Sequence, residues 1–213
     1  PELIEGIAET ISHPGNISKP ESIEKWNTAK KPAAIKQAVE KTVFDGGYGS
    51  LLAISFAIDD GEVTNLYRYE SITEFEILEM FNESLAKYNI DSHGNYQSAK
   101  PLTWVGHNIV GFDLRFLWKR FIINKIKHIT PIPYNAKAWD NTIYDPMFEW
   151  AGTGNDKKSM DFVCKSLGIT GKDGFDGSMV GTAWEKGEYE KIGTYCGDDV
   201  KRTREIYNRL NFK

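Results

Sequence analysis

This sequence has few cysteines, no long apolar run and no excess of positive charge. Each of these absences excludes a class of protein. The two cysteines, Cys164 and Cys196, fall in different predicted helices and lack the spacing of zinc ligands. We expect both to be reduced thiols, as is usual in the cytosol. No apolar run approaches the ~20 residues that cross a bilayer, and no signal peptide is visible. The prediction is a cytoplasmic protein that does not span a membrane.

The charge balance is slightly acidic. The 213 residues include 26 Lys and Arg against 30 Asp and Glu, which gives a formal net charge of −4. This balance argues against binding to nucleic acid through overall charge alone. An enzyme that holds a strand end through metal ions stays compatible with it, because the ions supply the local positive charge.

The length suits one domain with a full core, and we expect residues 1–213 to form a single domain. Residues 1–10 are expected to form a short strand. Residues 11–49 are predicted to be an irregular insertion, because prolines and glycines interrupt them. One helix is expected inside this insertion, from Ala33 onward, with Pro32 in its first turn.

From Leu51 onward the pattern changes to strands and helices in alternation. Residues 51–69 predict a β-hairpin with an Asp-Asp-Gly turn, and Thr73 with Glu76 predicts a capping box at the start of a helix. A buried strand is expected at 102–105. Helices are expected from Gly111, from Ser159 to a closing glycine at 168, and from about Glu188 to Leu210. Strands that alternate with helices in this way predict an α/β protein.

The segment from Trp104 to Asp113 is the strongest candidate for a functional site. A predicted strand ends near Val105, and a turn with Gly106 and Gly111 leads into a helix. Asp113 would then lie at the carboxyl edge of the sheet, where open α/β sheets bind ligands. Taken alone, the segment is better explained if Asn108 and Asp113 only cap the helix, because such caps are common.

The second candidate segment lies in the last predicted helix. Tyr195 and Asp199 are four residues apart and share a helix face, whereas Asp198 is a weaker competitor for the same role. The structural alternative is a solvated acidic turn beside a tyrosine that packs in the core. Gly197 costs a helix interior about 1 kcal/mol. That cost favours a close approach of another chain segment or a ligand.

Together the two segments resemble the motifs of a known nuclease superfamily. The pattern N-x-x-x-F-D at 108–113 and the pattern Y-x-x-x-D at 195–199 resemble the second and third motifs of the DnaQ-like, or DEDD, 3′-5′ exonucleases of the tyrosine subclass, DEDDy. Further stretches resemble the branch related to the proofreading domain of family B DNA polymerases: TIYDPM, KSMDFVCKSLGI, DGFDGSMV and YCGDDVKRTREIYNRL. The resemblance covers most of residues 50–211. It implies an RNase H-like α/β fold with a mixed central sheet and helices on both faces.

The first motif of this superfamily, D-x-E on the first strand, is incomplete. Glu9 followed by Thr10 matches its end, but residue 7 is isoleucine where the resemblance implies aspartate. In a strand, Glu5, Ile7 and Glu9 would share one face, and Glu5 would lie one step of about 6.6 Å from residue 7. It could replace the aspartate only through a bulge. An unusual register, an altered site and a loss of activity all remain open.

Carboxylates suit this chemistry because Mg²⁺ and Mn²⁺ are hard cations that prefer oxygen ligands. Two such ions about 3.5–4 Å apart can stabilise the attacking and leaving oxygens of a phosphodiester. The candidate ligands are Glu9, Asp113 and Asp199. A tyrosine hydroxyl has an ordinary pKa near 10, so we expect Tyr195 to orient the attacking water and not to act as a base.

Five further residues are candidate substrate contacts, each with a structural alternative. Asn108 and His107 could position a phosphate, although a structural histidine is equally expected. Phe112 could stack on the terminal nucleotide, or it could belong to the core. Arg115 could flank a phosphate track or lie on a solvated helix face. Asp145 resembles a recurrent family aspartate, or it is a turn residue before Pro146.

The leading hypothesis is therefore a two-metal 3′-5′ exonuclease that releases nucleoside 5′-monophosphates from single-stranded DNA, with a replication or repair complex as a candidate partner. The rival, which rests on Ile7, is a binding module of the same fold that holds nucleic acid or a protein without cleaving it. A ribonuclease stays open as a third hypothesis, because recognition of the 2′-hydroxyl is local and cannot be read from sequence.

Overall fold

The computed structural model describes residues 2–88, 102–171 and 174–213. The chain separates into two compact units, Pro1–Ser50 and Leu51–Lys213. In the described residues, no helix is both long and apolar enough to cross a membrane.

The first unit is helical. Its helices are α1 (Glu2–Thr10), α2 (Pro20–Ala29) and α3 (Lys31–Lys41), and a short 3-10 turn follows at Thr42–Phe44. Both α1 and α2 pack against α3. The predicted helix from Ala33 is confirmed, with Pro32 in its first turn.

The predicted strand over residues 1–10 is wrong, because these residues form helix α1. Ile4, Ile7 and Ile11 recur at intervals of three and four residues, which is the spacing of a helix face. The alternation Glu5, Ile7, Glu9 that suggested a strand face therefore has no structural meaning here. Because residues 2–10 are helical, Ile7 does not occupy the aspartate position of a D-x-E strand.

The second unit begins with the predicted hairpin. Strand β1 (Ala53–Phe56) pairs antiparallel with β2 (Thr64–Tyr67), in the register Ala53↔Tyr67 to Phe56↔Thr64. Successive side chains of each strand alternate between two faces. Both faces are covered by helices, as predicted for the sheet.

One face of the hairpin lies in the main hydrophobic core. Ile54, Phe56 and Leu66 pack with buried residues of α4 (Glu74–Tyr88) and α5 (Asp113–Ile123). The predicted capping box at the start of α4 is confirmed: the Thr73 N–H donates to Glu76 at 2.7 Å, and the Glu76 N–H donates to the Thr73 hydroxyl at 3.3 Å.

A buried ion pair joins α4 to α5. Arg120 donates from Nε and Nη2 to the two carboxylate oxygens of Glu74, each at 2.7 Å, and the Leu51 N–H donates to the same carboxylate at 2.6 Å. Burial alone would raise the pKa of Glu74, but these hydrogen bonds and the Arg120 charge lower it overall. Arg120 therefore links α4 to α5 inside the core, and its guanidinium group is bound to Glu74 and not directed towards a phosphate.

The other face of the hairpin packs against the long helix α9 (Tyr189–Leu210). Gly193 and Gly197 lie where a Cβ atom would collide with the Tyr67 ring and the Asn65 side chain of β2. The cost of glycine inside a helix is thus explained by close packing against a strand, one of the two explanations that the sequence favoured.

A second pair of strands leads to the candidate site. Strand β3 (Trp104–Val105) runs parallel to β4 (Ile143–Tyr144), with Trp104 opposite Ile143. The strand predicted at 102–105 is confirmed for Trp104 and Val105 only, since Leu102 and Thr103 are not in strand conformation, and its predicted burial is wrong for Val105, which is exposed. Among the described strands, this pair and the hairpin form two separate two-stranded sheets.

The fold is therefore mixed α/β with small sheets, and the expected central sheet that joins all strands is absent from the described residues. The RNase H-like arrangement stays a prediction. Three shorter helices complete the second unit: α6 (Pro146–Ala151), α7 (Met160–Leu167) and α8 (Val180–Glu185). Helix α7 is closed by Gly168 in a left-handed conformation, φ 68°, as the sequence predicted.

We expect Gly193→Ala to destabilise the protein. Alanine favours a helix by about 1 kcal/mol over glycine, but a Cβ that meets the Tyr67 ring costs about 1–3 kcal/mol as overpacking. The matched control is Gly181→Ala in α8, where nothing lies within 4 Å of the added Cβ. Urea unfolding should show a loss of stability for the first variant and none for the second. Equal stabilisation of both would contradict the close packing of α9 on β2.

Candidate active site

The turn between β3 and α5 is built around one strained residue and two glycines. Asn108 adopts a left-handed conformation, φ 64°, which asparagine tolerates better than most residues. A Cβ at Gly111 would collide with the Asn108 carboxamide, and a Cβ at Gly106 would come within 3 Å of the Ile109 side chain. The spacing of Gly106, Asn108 and Gly111 is therefore dictated by the geometry of this turn.

Asp145 holds this turn in place from the end of β4. Its side chain is fully buried. Oδ1 accepts hydrogen bonds from the Asn108 N–H at 2.8 Å and from the Met147 N–H, at the start of α6, at 3.1 Å. Oδ2 is buried without a hydrogen-bond partner in the described residues. Burial raises the pKa of Asp145, although these backbone bonds and His107 oppose the shift.

Asp113 is the first residue of α5. The surrounding protein desolvates its carboxyl group, and this desolvation, together with the charges of Asp145 and Asp199, raises its pKa to about 7. The residue as a whole is nevertheless exposed at the surface.

Asp199 brings a second acid to this place from the middle of α9. It is partly exposed, and its Oδ1 accepts a hydrogen bond from Arg202 Nη1 at 3.0 Å. The neighbouring Asp198 instead pairs with Lys201 at 2.9 Å on the solvent side. Only Asp199 of the two acts on the pKa of Asp113, so it is the acid that belongs to the candidate site.

Tyr195 lies one turn before Asp199 on α9 and is partly buried. Its ring packs edge-on against Phe175, with 5.1 Å between the ring centres and an angle of 64°. The ammonium group of Lys191 lies 5.1 Å from the centre of the same Phe175 ring.

The candidate substrate contacts have different environments. His107 Nε2 lies 2.9 Å from the Lys158 carbonyl oxygen, so the ring donates a proton there and helps to hold the turn. Phe112 is half-buried and packs against Phe116 at 5.4 Å. Arg115 is exposed on the first turn of α5. Asn108 has its carboxamide against Gly111, whereas the N-cap residue of α5 is Phe112 and makes no side-chain cap hydrogen bond, so the capping alternative for Asn108 stays a prediction.

The structure therefore brings Asp113, Asp145 and Asp199 together. Glu9 lies on α1 in the first unit, whereas these three aspartates all belong to the second unit. Its choice as a metal ligand depended on the strand that α1 replaces.

Two further residues of the site were not singled out from the sequence. Arg202 is three residues after Asp199, a spacing that places both on one helix face and that would have been sufficient to find the pair. Cys196 faces Ser55 of β1. Burial raises the pKa of its thiol, and the nearby Asp113 and Asp199 raise it further. Both cysteines are free, in agreement with the expected reduced thiols.

The donor set suits a hard divalent cation. Among the described residues, no group of three His, Cys, Asp or Glu side chains is arranged to enclose a metal ion. Mg²⁺ does not need such a cage, since it is usually bound by one or two carboxylates, water and substrate phosphate. Asp113 and Asp199 supply two carboxylates whose mutual repulsion a cation would relieve, and both residues are at least partly exposed.

Comparison with known families identifies the second unit. A family model described as a predicted 3′-5′ exonuclease related to the exonuclease domain of PolB matches residues 48–213. The matched range contains Asp113, Asp145, Tyr195 and Asp199, and it leaves out Glu9. A search of curated proteins found no match to the chain.

The raised pKa of Asp113 predicts a pH-dependent stability. The folded state holds this proton more tightly than the unfolded state, so without cations stability falls as pH rises from about 4 through about 7. Asp113→Asn cannot ionise. In EDTA, its melting temperature should therefore gain on that of the wild type between about pH 5 and about pH 8. Parallel melting curves of the two proteins across this range would show that the ionised carboxylate carries no penalty.

We expect Asp145→Ala to loosen the turn that carries Asn108. It would leave two backbone N–H groups without their acceptor, at about 1–3 kcal/mol for each group that stays buried. Asp145→Asn is the matched control, because its amide oxygen can accept the same two bonds. Urea unfolding should show the larger loss for alanine. A larger loss for asparagine would mean that the charge, and not the hydrogen bonds, stabilises this turn.

Proposed function

Because the chain belongs to the family of predicted 3′-5′ exonucleases related to the exonuclease domain of PolB, we propose that it removes nucleotides from the 3′ end of single-stranded DNA with the help of Mg²⁺ or Mn²⁺. The observation that carries this proposal is the meeting of Asp113 and Asp199. These acids come from α5 and α9, and their carboxylates are close enough for one to raise the pKa of the other.

The proposed reaction is a hydrolysis of the last phosphodiester bond. The oxygen of a water molecule forms a bond to the phosphorus atom, and the bond from phosphorus to the 3′-oxygen of the preceding nucleotide breaks. That oxygen takes up a proton and leaves as a 3′-hydroxyl. The terminal nucleoside departs with the phosphate on its 5′-oxygen, as a nucleoside 5′-monophosphate.

Asp113 and Asp199 would hold the divalent cation, which when bound stabilises the negative charge that builds on the phosphate oxygens. The Tyr195 hydroxyl, one helical turn before Asp199, would orient the attacking water through a hydrogen bond. Arg115, exposed on the first turn of α5, would contact a phosphate of the strand. Asp145 would act indirectly, because it fixes the turn that precedes Asp113.

One observation favours a second candidate function. The pair of carboxylates is not completed by a third ligand among the described residues, and the expected first motif is a helix. A protein of this family with a weakened metal site would bind nucleic acid or a protein partner without cleaving it. Metal binding separates the two functions, since the binding module needs no cation.

The decisive test compares two adjacent aspartates. Asp199→Asn should lower cleavage of a labelled single-stranded oligonucleotide more than about a hundredfold, because even residues that only support a metal ligand are worth 10–100-fold. Asp198→Asn removes the same charge one residue away, where the carboxylate faces Lys201, and should keep full activity. A label at the 5′ end shows the direction of cleavage, and an RNA oligonucleotide of the same sequence tests the ribonuclease hypothesis.

Two further variants complete this test. Tyr195→Phe should slow cleavage by about a hundredfold or more while Mn²⁺ binding, measured by electron paramagnetic resonance, stays unchanged. Glu9→Gln tests whether a residue of the first unit takes part. Wild-type protein that binds the oligonucleotide but neither binds Mn²⁺ nor cleaves would establish the binding module instead.

A further inference from the structure

We propose that the loop of residues 152–159, called here the lysine loop, binds phosphate groups of the single strand whose 3′ end occupies the candidate site. The loop connects α6 to α7 and carries Lys157 and Lys158. This inference rests on the proposed function and adds to it a phosphate-binding surface outside the two motifs at residues 108–113 and 195–199.

A hydrogen bond ties the lysine loop to the candidate site. His107 donates from Nε2 to the backbone carbonyl of Lys158 at 2.9 Å, and His107 belongs to the turn that leads to Asp113. His107 also interacts electrostatically with Asp145, and Asp145 with Asp113. Lys158 is therefore separated from the site acids by a short series of neighbouring side chains.

The loop presents cations next to aromatic rings. The Lys157 ammonium group lies 4.0 Å from the centre of the Phe148 ring, and that of Lys158 lies 5.2 Å from the Phe162 ring. Phe162 is 46% exposed, so a large apolar side chain lies at the surface beside a lysine. Single strands bind to surfaces of this kind, where lysines neutralise phosphates and aromatic rings stack on bases.

Charge complementarity identifies the occupant as a polyanion. Three aspartates meet at the site and the chain has a net charge of −4, so an incoming phosphate backbone is repelled unless cations lie along its path. Lys158 is partly neutralised by Asp156 at 2.5 Å. In the described part of the chain, Lys157 contacts an aromatic ring and forms no ion pair. Lys157 should therefore contribute more than Lys158.

The experiment measures binding without cleavage. Anisotropy of a fluorescent oligo(dT) of about 12 nucleotides is recorded in EDTA over a range of salt concentrations. For the full chain with Lys157→Gln and Lys158→Gln, the slope of log Kd against log salt should fall by about 1.4, which is about 0.7 for each lost phosphate contact. Because His107 bonds to a backbone oxygen, the loop keeps its attachment in this variant.

The matched control is Lys87→Gln with Lys186→Gln, which removes the same charge from exposed positions on α4 and after α8. It should leave the slope unchanged. Equal slopes for the wild type and the loop variant, or equal losses in both variants, would overturn the proposal. Of the single variants, Lys157→Gln should show the larger change.

Cleavage assays separate this inference from the proposed function. The p-nitrophenyl ester of thymidine 5′-monophosphate carries one phosphate and cannot reach the loop, so its hydrolysis should be unaffected in the loop variant while KM for oligo(dT) rises. A wild type that cleaves neither substrate, together with a reduced salt slope in the loop variant, would reject the exonuclease and keep the phosphate site. Normal cleavage with an unchanged salt slope would reject the phosphate site alone.

Discussion

The candidate site depends on the two hydrogen bonds that the buried carboxylate of Asp145 accepts from backbone N–H groups. One oxygen receives the N–H of Asn108, in the turn after β3, and that of Met147, at the start of α6. The end of β4 is thereby fixed to the residues that precede Asp113. The donors are backbone N–H groups, which are present whatever side chain a residue carries. Substitutions at Asn108 or Met147 would therefore keep these two hydrogen bonds, whereas loss of the Asp145 carboxylate would remove both.

A cost accompanies this arrangement, because the same buried carboxylate adds negative charge beside Asp113. Desolvation and two neighbouring acids make the ionised form of Asp113 unfavourable. Arg202 offsets part of the charge at Asp199 without reaching into the solvent-facing pair of Asp198 and Lys201. A site that is unfavourable when empty gains most from a bound cation, which is the usual relation between function and stability at such places.

Local patterns allowed correct predictions, and distant contacts did not. The capping box of α4, the hairpin and the closing Gly168 each depend on residues within a few positions of one another.

Helix α1 was mistaken for a strand because a short segment with apolar residues fits both periods, and its packing against α3 could not be read from sequence. The partners of Gly193 on α9 and of Glu74 on α4 are likewise far away in sequence. The two acids of the candidate site were predicted from motifs that are local in sequence, and their role stays a prediction. The role of Asp145 as a fully buried acceptor was not predicted, since burial is a property of the whole fold.

The distribution of charge explains how an acidic chain can serve an anionic substrate. A net charge of −4 describes the average over 213 residues, but salt at physiological strength screens exposed charges beyond about 8 Å. A phosphate at the site therefore responds mainly to the groups within that distance. The charged groups of the site and of the lysine loop lie on different elements: the acids at the start of α5, the end of β4 and the middle of α9, and the lysines on the loop that His107 holds. In the proposed function, the acids would hold the cation and the lysine loop would hold the phosphate backbone. Because the two groups of charges lie on different elements, the lysines would not neutralise the acids that bind the cation.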